Sequence, residues 1–280
     1  MRSACALVGL TLLAVASQPT RGAGQETFDH RYELYASLLE AHVVAERVDY
    51  AALSADLDRL ETVVNGFARV TAPSFEGWSR DERLAFWINA YNVFTLKAVA
   101  DHYPIEGRWS PWEPWVTLSP RNSIRQIEGV WDELRWRAAG RVVTLNEIES
   151  VVRGPAFDEP RVHFALHRAA LSSPPLHPEP FIAARLDEQL GDASRQFLAG
   201  DQGVRLDGKA IRLTSILDWY WEDFGDTYAH LTDARRPLKD RAIFGVVVAY
   251  GTPEAAAVAK RGAGRLRFLG YDWSLDDVAR

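Results

Sequence analysis

The chain of 280 residues sets 32 Lys and Arg against 38 Asp and Glu, a formal net charge of -6, with 47% hydrophobic and 25% charged residues. That balance belongs to a globular chain rather than a disordered one and offers no basic footprint for nucleic acid. A single cysteine, Cys5, excludes an internal disulfide and any cluster of thiolate ligands.

In chain order, the first 16 residues read as a secretory signal peptide. Arg2 precedes an apolar run from Ala4 to Ala16, and Ala14-Val15-Ala16 supplies a small-residue cleavage site; cleavage as late as about residue 23 fits as well. The run of 13 residues is shorter than the about 20 that a membrane span needs, so no transmembrane segment is expected after signal removal. Cleavage after Ala16 takes Cys5 with it, and the expected product is an exported, thiol-free chain, periplasmic or secreted. Residues 26–280 are then expected to form one domain, an ordinary size for a single core.

Residues 26–47 and 54–69 have helical spacing, the second opening on Ser54 as an N-cap. Ser79 followed by Glu82 is a capping box for a helix that stops before Pro104, and from Leu84 to Val99 it is apolar almost all round, as a buried central helix would be. Residues 105–122, with Trp109, Trp112, Trp115 and three internal prolines, form a long loop. Either its tryptophans pack it down or they make an aromatic binding surface.

A hairpin follows around Ala139-Gly140, then a helix from Thr144 to Gly154. Arg161–Leu166 has the alternation of a strand, a serine- and proline-rich loop comes next, and a helix is predicted from Glu179 to Gly200 with Pro180 in its first turn. A second hairpin turns at Asp207-Gly208, Thr214 caps a helix, and the tail holds an apolar run, a helix from Thr252 and a last strand near Leu266–Trp273. Helices and hairpins without a βαβ rhythm predict an α+β fold, helices packing on short antiparallel strands around the buried helix.

Candidate chemistry gathers at two places. Asn89 and Asn92 share one face of the central helix beside Trp87, and their buried amides either brace a neighbouring loop or orient a ligand. His163, on a strand face shared with Arg161, is a candidate general base near neutral pH, with Ser173 or a water as its nucleophile. Tyr220 and Asp223, three apart, could cover one edge of the pocket. The residues expected to touch a substrate are thus Trp87, Asn89, Asn92, Arg161, Tyr220 and Asp223. His163 and His167 would lie about 13 Å apart on a strand, too far to share one ion, so neither a metal site nor any other cofactor is expected.

The blocks "AFWINAYNVFTLKAV", "TLNEIESVVR", "RVHFAL…SSPPL", "LDEQLGDASRQFL", "LTSILDWYWEDF" and "YDWSLDD", in that order from Val48 to Asp276, resemble the family called domain of unknown function 547. The resemblance names no reaction. It implies two cysteines after the H-F-A-L segment, and here Arg168 stands at the first, Ala170 at an intervening serine and Ser173 at the second. A nucleophilic or redox thiol is therefore not expected in this chain, and the 105–122 segment is longer than the resemblance implies. The function expected is binding of a small molecule or peptide-like ligand near Asn89, Asn92 and His163. The alternatives are thiol-independent hydrolysis or acyl transfer with His163 as base, or partner binding through the tryptophan-rich loop.

Overall fold

A computed structural model describes residues 28–207, 210–261 and 266–279; the segment 1–16, expected to be a signal peptide, and Gly208 of the second hairpin turn lie outside them. The architecture is α+β. In order it runs α1 (Glu33–His42), β1 (Val43–Val44), β2 (Arg47–Val48), α2 (Tyr50–Ala55), α3 (Leu57–Ala68), α4 (Ala72–Glu76) and α5 (Arg80–Ala100). Then come α6 (Pro114–Thr117), β3 (Trp136–Ala138), β4 (Arg141–Val143), α7 (Leu145–Val152), α8 (Leu186–Ala199), β5 (Val204–Asp207) and β6 (Ala210–Leu213). The last elements are α9 (Ser215–Trp219), α10 (Gly225–Tyr228), α11 (Leu238–Tyr250), α12 (Pro253–Arg261) and β7 (Arg267–Phe268).

The centre is α5. Ser79 and Glu82 close the capping box in both directions, so two of the orphan N–H groups at its start are bonded. Its acidic first turn and Lys97 in the last turn suit the helix dipole. Nearly every residue from Leu84 to Ala100 is buried, so the helix threads the interior instead of lying on it. One apolar cluster surrounds it, built from α1, α2, α3 and α7. A second gathers Phe197, Ile211, Leu213, Phe224, Phe244 and Val247 from α8, β6, the 3-10 turn Trp221–Phe224 and α11. The apolar tail run Ala242–Tyr250 is thus the greater part of a buried helix.

The strands are short. β1–β2, β3–β4 and β5–β6 are antiparallel pairs, and β7 joins β6 in parallel. At the β3–β4 turn both Ala139 and Gly140 have positive φ, the backbone that a two-residue hairpin needs.

Several boundaries differ from expectation. The N-terminal helical stretch is cut to Glu33–His42 because β1 and β2 take Val43–Val48. Ser54 caps nothing: it lies inside α2 and its hydroxyl donates to Ala51 O, and the chain breaks at Asp56 before α3 starts. α8 begins at Leu186, later than the spacing predicts, because side chains bond the backbone of 180–182 and Ile182 is extended. Gln189 accepts from Ile182 N and donates to Pro180 O. The last strand is reduced to Arg267–Phe268.

The largest correction falls on 161–166. This segment is a 3-10 helix, Pro160–Phe164, with Pro160 in its first turn and the Glu159 carboxylate accepting from Arg161 N. Among the described residues no strand pairs with it; polar backbone groups that follow it are taken by α5. Asn92 donates to Ala165 O at 3.0 Å and accepts from His167 N at 2.9 Å. Asn89 donates to Phe181 O at 2.7 Å and accepts from Phe181 N at 2.9 Å. Because the segment is helical, Arg161 and His163 share no face. Val162, Ala165 and Leu166 enter the α5 cluster while Phe164 enters the other, so His163 sits at the seam between the two.

The 105–122 segment is held down, but by Gln126 and not by Trp109 or Trp112. Gln126 ties it down, donating to the carbonyls of Val116, Ser119 and Pro120 and accepting from Arg108 N, and Val116 is buried. Trp109 and Trp112 nevertheless stay exposed; the Trp115 side chain lies outside the described residues.

Candidate functional site

The polar centre assembles around Tyr220. Its ring lies on the His163 imidazole, centroids 4.0 Å apart and planes 21° from parallel. Its hydroxyl donates to Glu149 Oε1 at 2.7 Å and accepts from Arg168 Nη2 at 3.3 Å. Arg153 lies over the same ring at 4.7 Å, a cation–π contact. Glu149 and Arg153, four apart on and just after α7, project to one side, and that side meets the Tyr220–Asp223 turn. Asp223 receives Arg153 through two nitrogens, at 2.7 and 3.3 Å. Arg168 pairs with the other carboxylate, Glu149 Oε2, at 3.3 Å.

His163 is wholly buried and its Nε2 lies 2.7 Å from Asp223 Oδ2. Burial drives the imidazole pKa below its ordinary value; the bond to Asp223 opposes this and the nearby Arg168 charge adds to it. Burial alone would raise Asp223, but the bonds from His163 and Arg153 outweigh it and hold the carboxyl well below the usual carboxylate range. Glu149 is likewise burdened by burial and is lowered by Arg168 and by the Tyr220 hydroxyl. The pair is therefore a neutral imidazole against an ionised carboxylate. The proton must sit on Nε2 to bond Asp223, which leaves the lone pair on Nδ1. That atom is buried and meets no hydrogen-bond partner among the described residues, and the same holds for the hydroxyls of Tyr91 and Tyr271, both within electrostatic reach of the Arg168 guanidinium.

Of the side chains singled out from sequence, His163, Tyr220 and Asp223 come together here. Asn89 and Asn92 do not: their amides are spent on the Phe181, Ala165 and His167 backbone. Trp87 is core, packed on Phe75 and Phe86 with Arg141 over its face. Arg161 forms an ion-pair group with Glu159 and Asp187. Ser173 turns away from His163; its hydroxyl accepts from Arg168 N at 2.7 Å and donates to Pro174 O at 3.0 Å. Ser172 is similarly occupied with Gln202 and Asp272 N. His167 belongs to a separate buried network, with Nε2 3.3 Å from Asp276 and Nδ1 3.1 Å from Pro174 O.

Glu149, Arg153 and the inward role of Arg168 were missed. The i, i+4 spacing of Glu149 and Arg153 reads equally well as a solvated ion pair, so only the fold reveals what they face. A cavity of about 630 Å³ exists elsewhere, lined by Phe28, Tyr32, Tyr35, Phe67 and Arg69 among others; it contains none of the polar centre. Solvent meets the centre at its rim, where the Asp223 side chain is 25% exposed and Arg153 35%, next to a group of rings formed by Trp219, Tyr271 and Trp273.

The centre makes stability depend on pH in a defined direction. An imidazole whose folded pKa lies below its unfolded value of 6.5 takes up its proton more readily when unfolded, so its contribution is complete above that value and is lost as pH falls below it. Asp223 adds a further loss as pH falls below its ordinary 3.8. Urea unfolding between pH 8 and 4 should show stability falling from about pH 6.5 downward, and His163→Gln should flatten the part of the profile above about pH 5. A wild-type profile that is flat or rises toward pH 5 would contradict the neutral, buried imidazole.

Residues 75–198 match the family model described as protein of unknown function, DUF547. They include Glu149, Arg153, His163 and Arg168, while Tyr220 and Asp223 lie beyond the match. No curated protein and no solved structure matches the chain significantly. With its α5 helix, its α7 carboxylate and its His163 segment all inside the matched region, the chain is a DUF547 domain-containing protein.

Proposed function

We propose that this protein binds a hydrogen-bond-donating, peptide-like ligand at His163 and does not carry out nucleophilic catalysis with a side chain of its own. One observation carries the reading: His163 Nδ1 is a buried acceptor, oriented through Asp223, that no group among the described residues satisfies. A buried polar atom left unpaired costs about 1–3 kcal/mol, and a donor N–H or O–H from a ligand would recover that energy. Ser173, the residue best placed in sequence to act as nucleophile, has its hydroxyl committed to Pro174 O and Arg168 N. Tyr220 lies against the ring and Arg153 over Tyr220, and both of these covering side chains are partly exposed. A water held at the same Nδ1 would be polarised by a general base, and that hydrolytic alternative rests on the same atom.

Amide and ester panels incubated with the wild-type protein and with His163→Ala separate the two. Binding alone predicts no turnover that depends on His163. It also predicts that N-acetyl dipeptide amides, titrated by calorimetry, bind the wild type about tenfold more tightly, the equivalent of about 1.4 kcal/mol. Turnover lost in His163→Ala would establish the hydrolytic alternative, and binding indifferent to His163 would remove the site from the proposal.

We also propose that the chain is exported, on the strength of Arg2, the apolar run Ala4–Ala16 and the Ala14-Val15-Ala16 site. Terminal sequencing of protein recovered from a bacterial host's periplasm or medium should begin between Ser17 and about residue 24. A cytoplasmic product that retains residues 2–16 would contradict it.

A further inference from the structure

The 105–122 segment is a closed loop with an apolar tip. Ser110 and Thr117 bond each other twice, Ser110 N donating to Thr117 Oγ1 at 3.1 Å and Thr117 Oγ1 to Ser110 O at 3.1 Å. The Ser110 hydroxyl also accepts from Glu113 N. This link draws together the chain positions just outside it, Trp109 and Leu118, and leaves Trp112 within the turn it closes. Gln126 fixes the base of the loop through its three carbonyl contacts. On this braced frame Trp109 is 74% exposed, Trp112 88% and Leu118 84%.

Such values describe side chains that protrude, with no concave wall beside them. Braced protruding apolar groups lose little conformational freedom on binding, so exposing them to water suits a surface built to be covered.

We infer that this loop is an interfacial anchor that inserts Trp109, Trp112 and Leu118 into the headgroup region of a lipid bilayer. Area favours lipid over a protein partner. Two tryptophans and a leucine at these exposures offer about 500 Å², less than the about 800 Å² per side of a stable protein interface. Amphipathic indoles are enriched at the membrane–water boundary, and there binding grows with the apolar area buried.

Charge decides which lipid. Within the loop Glu106 and Glu113 balance Arg108 and Arg121, and Arg108 is already paired with Glu113 and Glu128, each at 3.1 Å. The tip therefore brings no net positive charge and has no need of anionic headgroups. The anchor is independent of the His163 centre and stands whether or not that centre binds a ligand.

The test is flotation of the full mature protein with phosphatidylcholine vesicles, at low and high salt, against Trp109→Ser/Trp112→Ser. Both substitutions fall on exposed side chains, so a circular dichroism spectrum unchanged from wild type should confirm folding. The expected result is that wild type floats with neutral vesicles to nearly the same extent at both salt concentrations, and that the double variant's bound fraction falls about tenfold. Wild type that stays unbound overturns the inference, as does a variant that floats equally well. Binding seen only with phosphatidylglycerol and abolished by salt would assign the contact to basic groups instead. Self-association on size-exclusion chromatography that the variant abolishes, without vesicle binding, would make the tip a protein interface.

Discussion

A long buried stretch of irregular chain sets the terms for this molecule. Between Ala165 and Ile182 the backbone forms no helix and no strand, yet much of it is inside the protein, where each N–H and C=O must find a partner. Side chains provide them. Asn92 holds Ala165 and His167, Asn89 holds Phe181, Gln189 holds Pro180 and Ile182, and Ser173 holds Arg168. The two asparagines are three residues apart on a helix that is itself immobilised by burial on all sides, so the stretch inherits the rigidity of α5. His163 stands at the entrance to this stretch, with its Nε2 bonded to Asp223 and its ring against Tyr220 and Phe224.

Around that ring two cations and two anions alternate: Arg168 with Glu149, Arg153 with Asp223. Each carboxylate is held by a guanidinium and by one further donor, the Tyr220 hydroxyl or the imidazole N–H. The arrangement leaves the imidazole uncharged and orients it without adding net charge to the seam between the two apolar clusters. Breaking a buried pair by removing one member typically costs about 3–5 kcal/mol, since the other charge is left uncompensated, so Arg168 and Glu149 are expected to persist or vanish together. The resemblance to the family puts cysteines at positions 168 and 173. Here the Ser173 hydroxyl accepts from the Arg168 backbone N–H, while the Arg168 side chain runs to Glu149 and Tyr220.

Much of the architecture could be read from local chemistry. α5 is written in Ser79, Glu82 and an apolar run with Pro104 beyond it; the β3–β4 hairpin is written in Ala139-Gly140, and α7 in the helical stretch from Thr144 to Gly154. The segment 161–166 misled because period-two alternation reports which residues are apolar and says nothing of where their backbone partners lie. Here those partners are helix side chains some 75 residues away in the chain, which no local pattern records. The site divides along the same line. His163, Tyr220 and Asp223 were recognisable as chemistry-bearing types in aromatic surroundings, whereas the amides of Asn89 and Asn92 were recognisable only as buried polar groups that needed partners. Their partners proved to be backbone, the bracing role of the two that sequence allowed. Ser173 was drawn toward His163 by the assumption of a strand followed by an open loop; the helical turn and the Pro174 carbonyl direct it elsewhere.

The claim beneath all of this is that α5, through two amide side chains, makes an irregular segment as solid as a core helix. Native-state hydrogen exchange at the backbone N–H groups of His167 and Phe181 tests it most directly. Both should exchange as slowly as the amides in the middle of α5, opening only with global unfolding. Exchange at the rate of a surface loop would show that the asparagines do not hold this chain, and the account of how the irregular segment is kept rigid would fail.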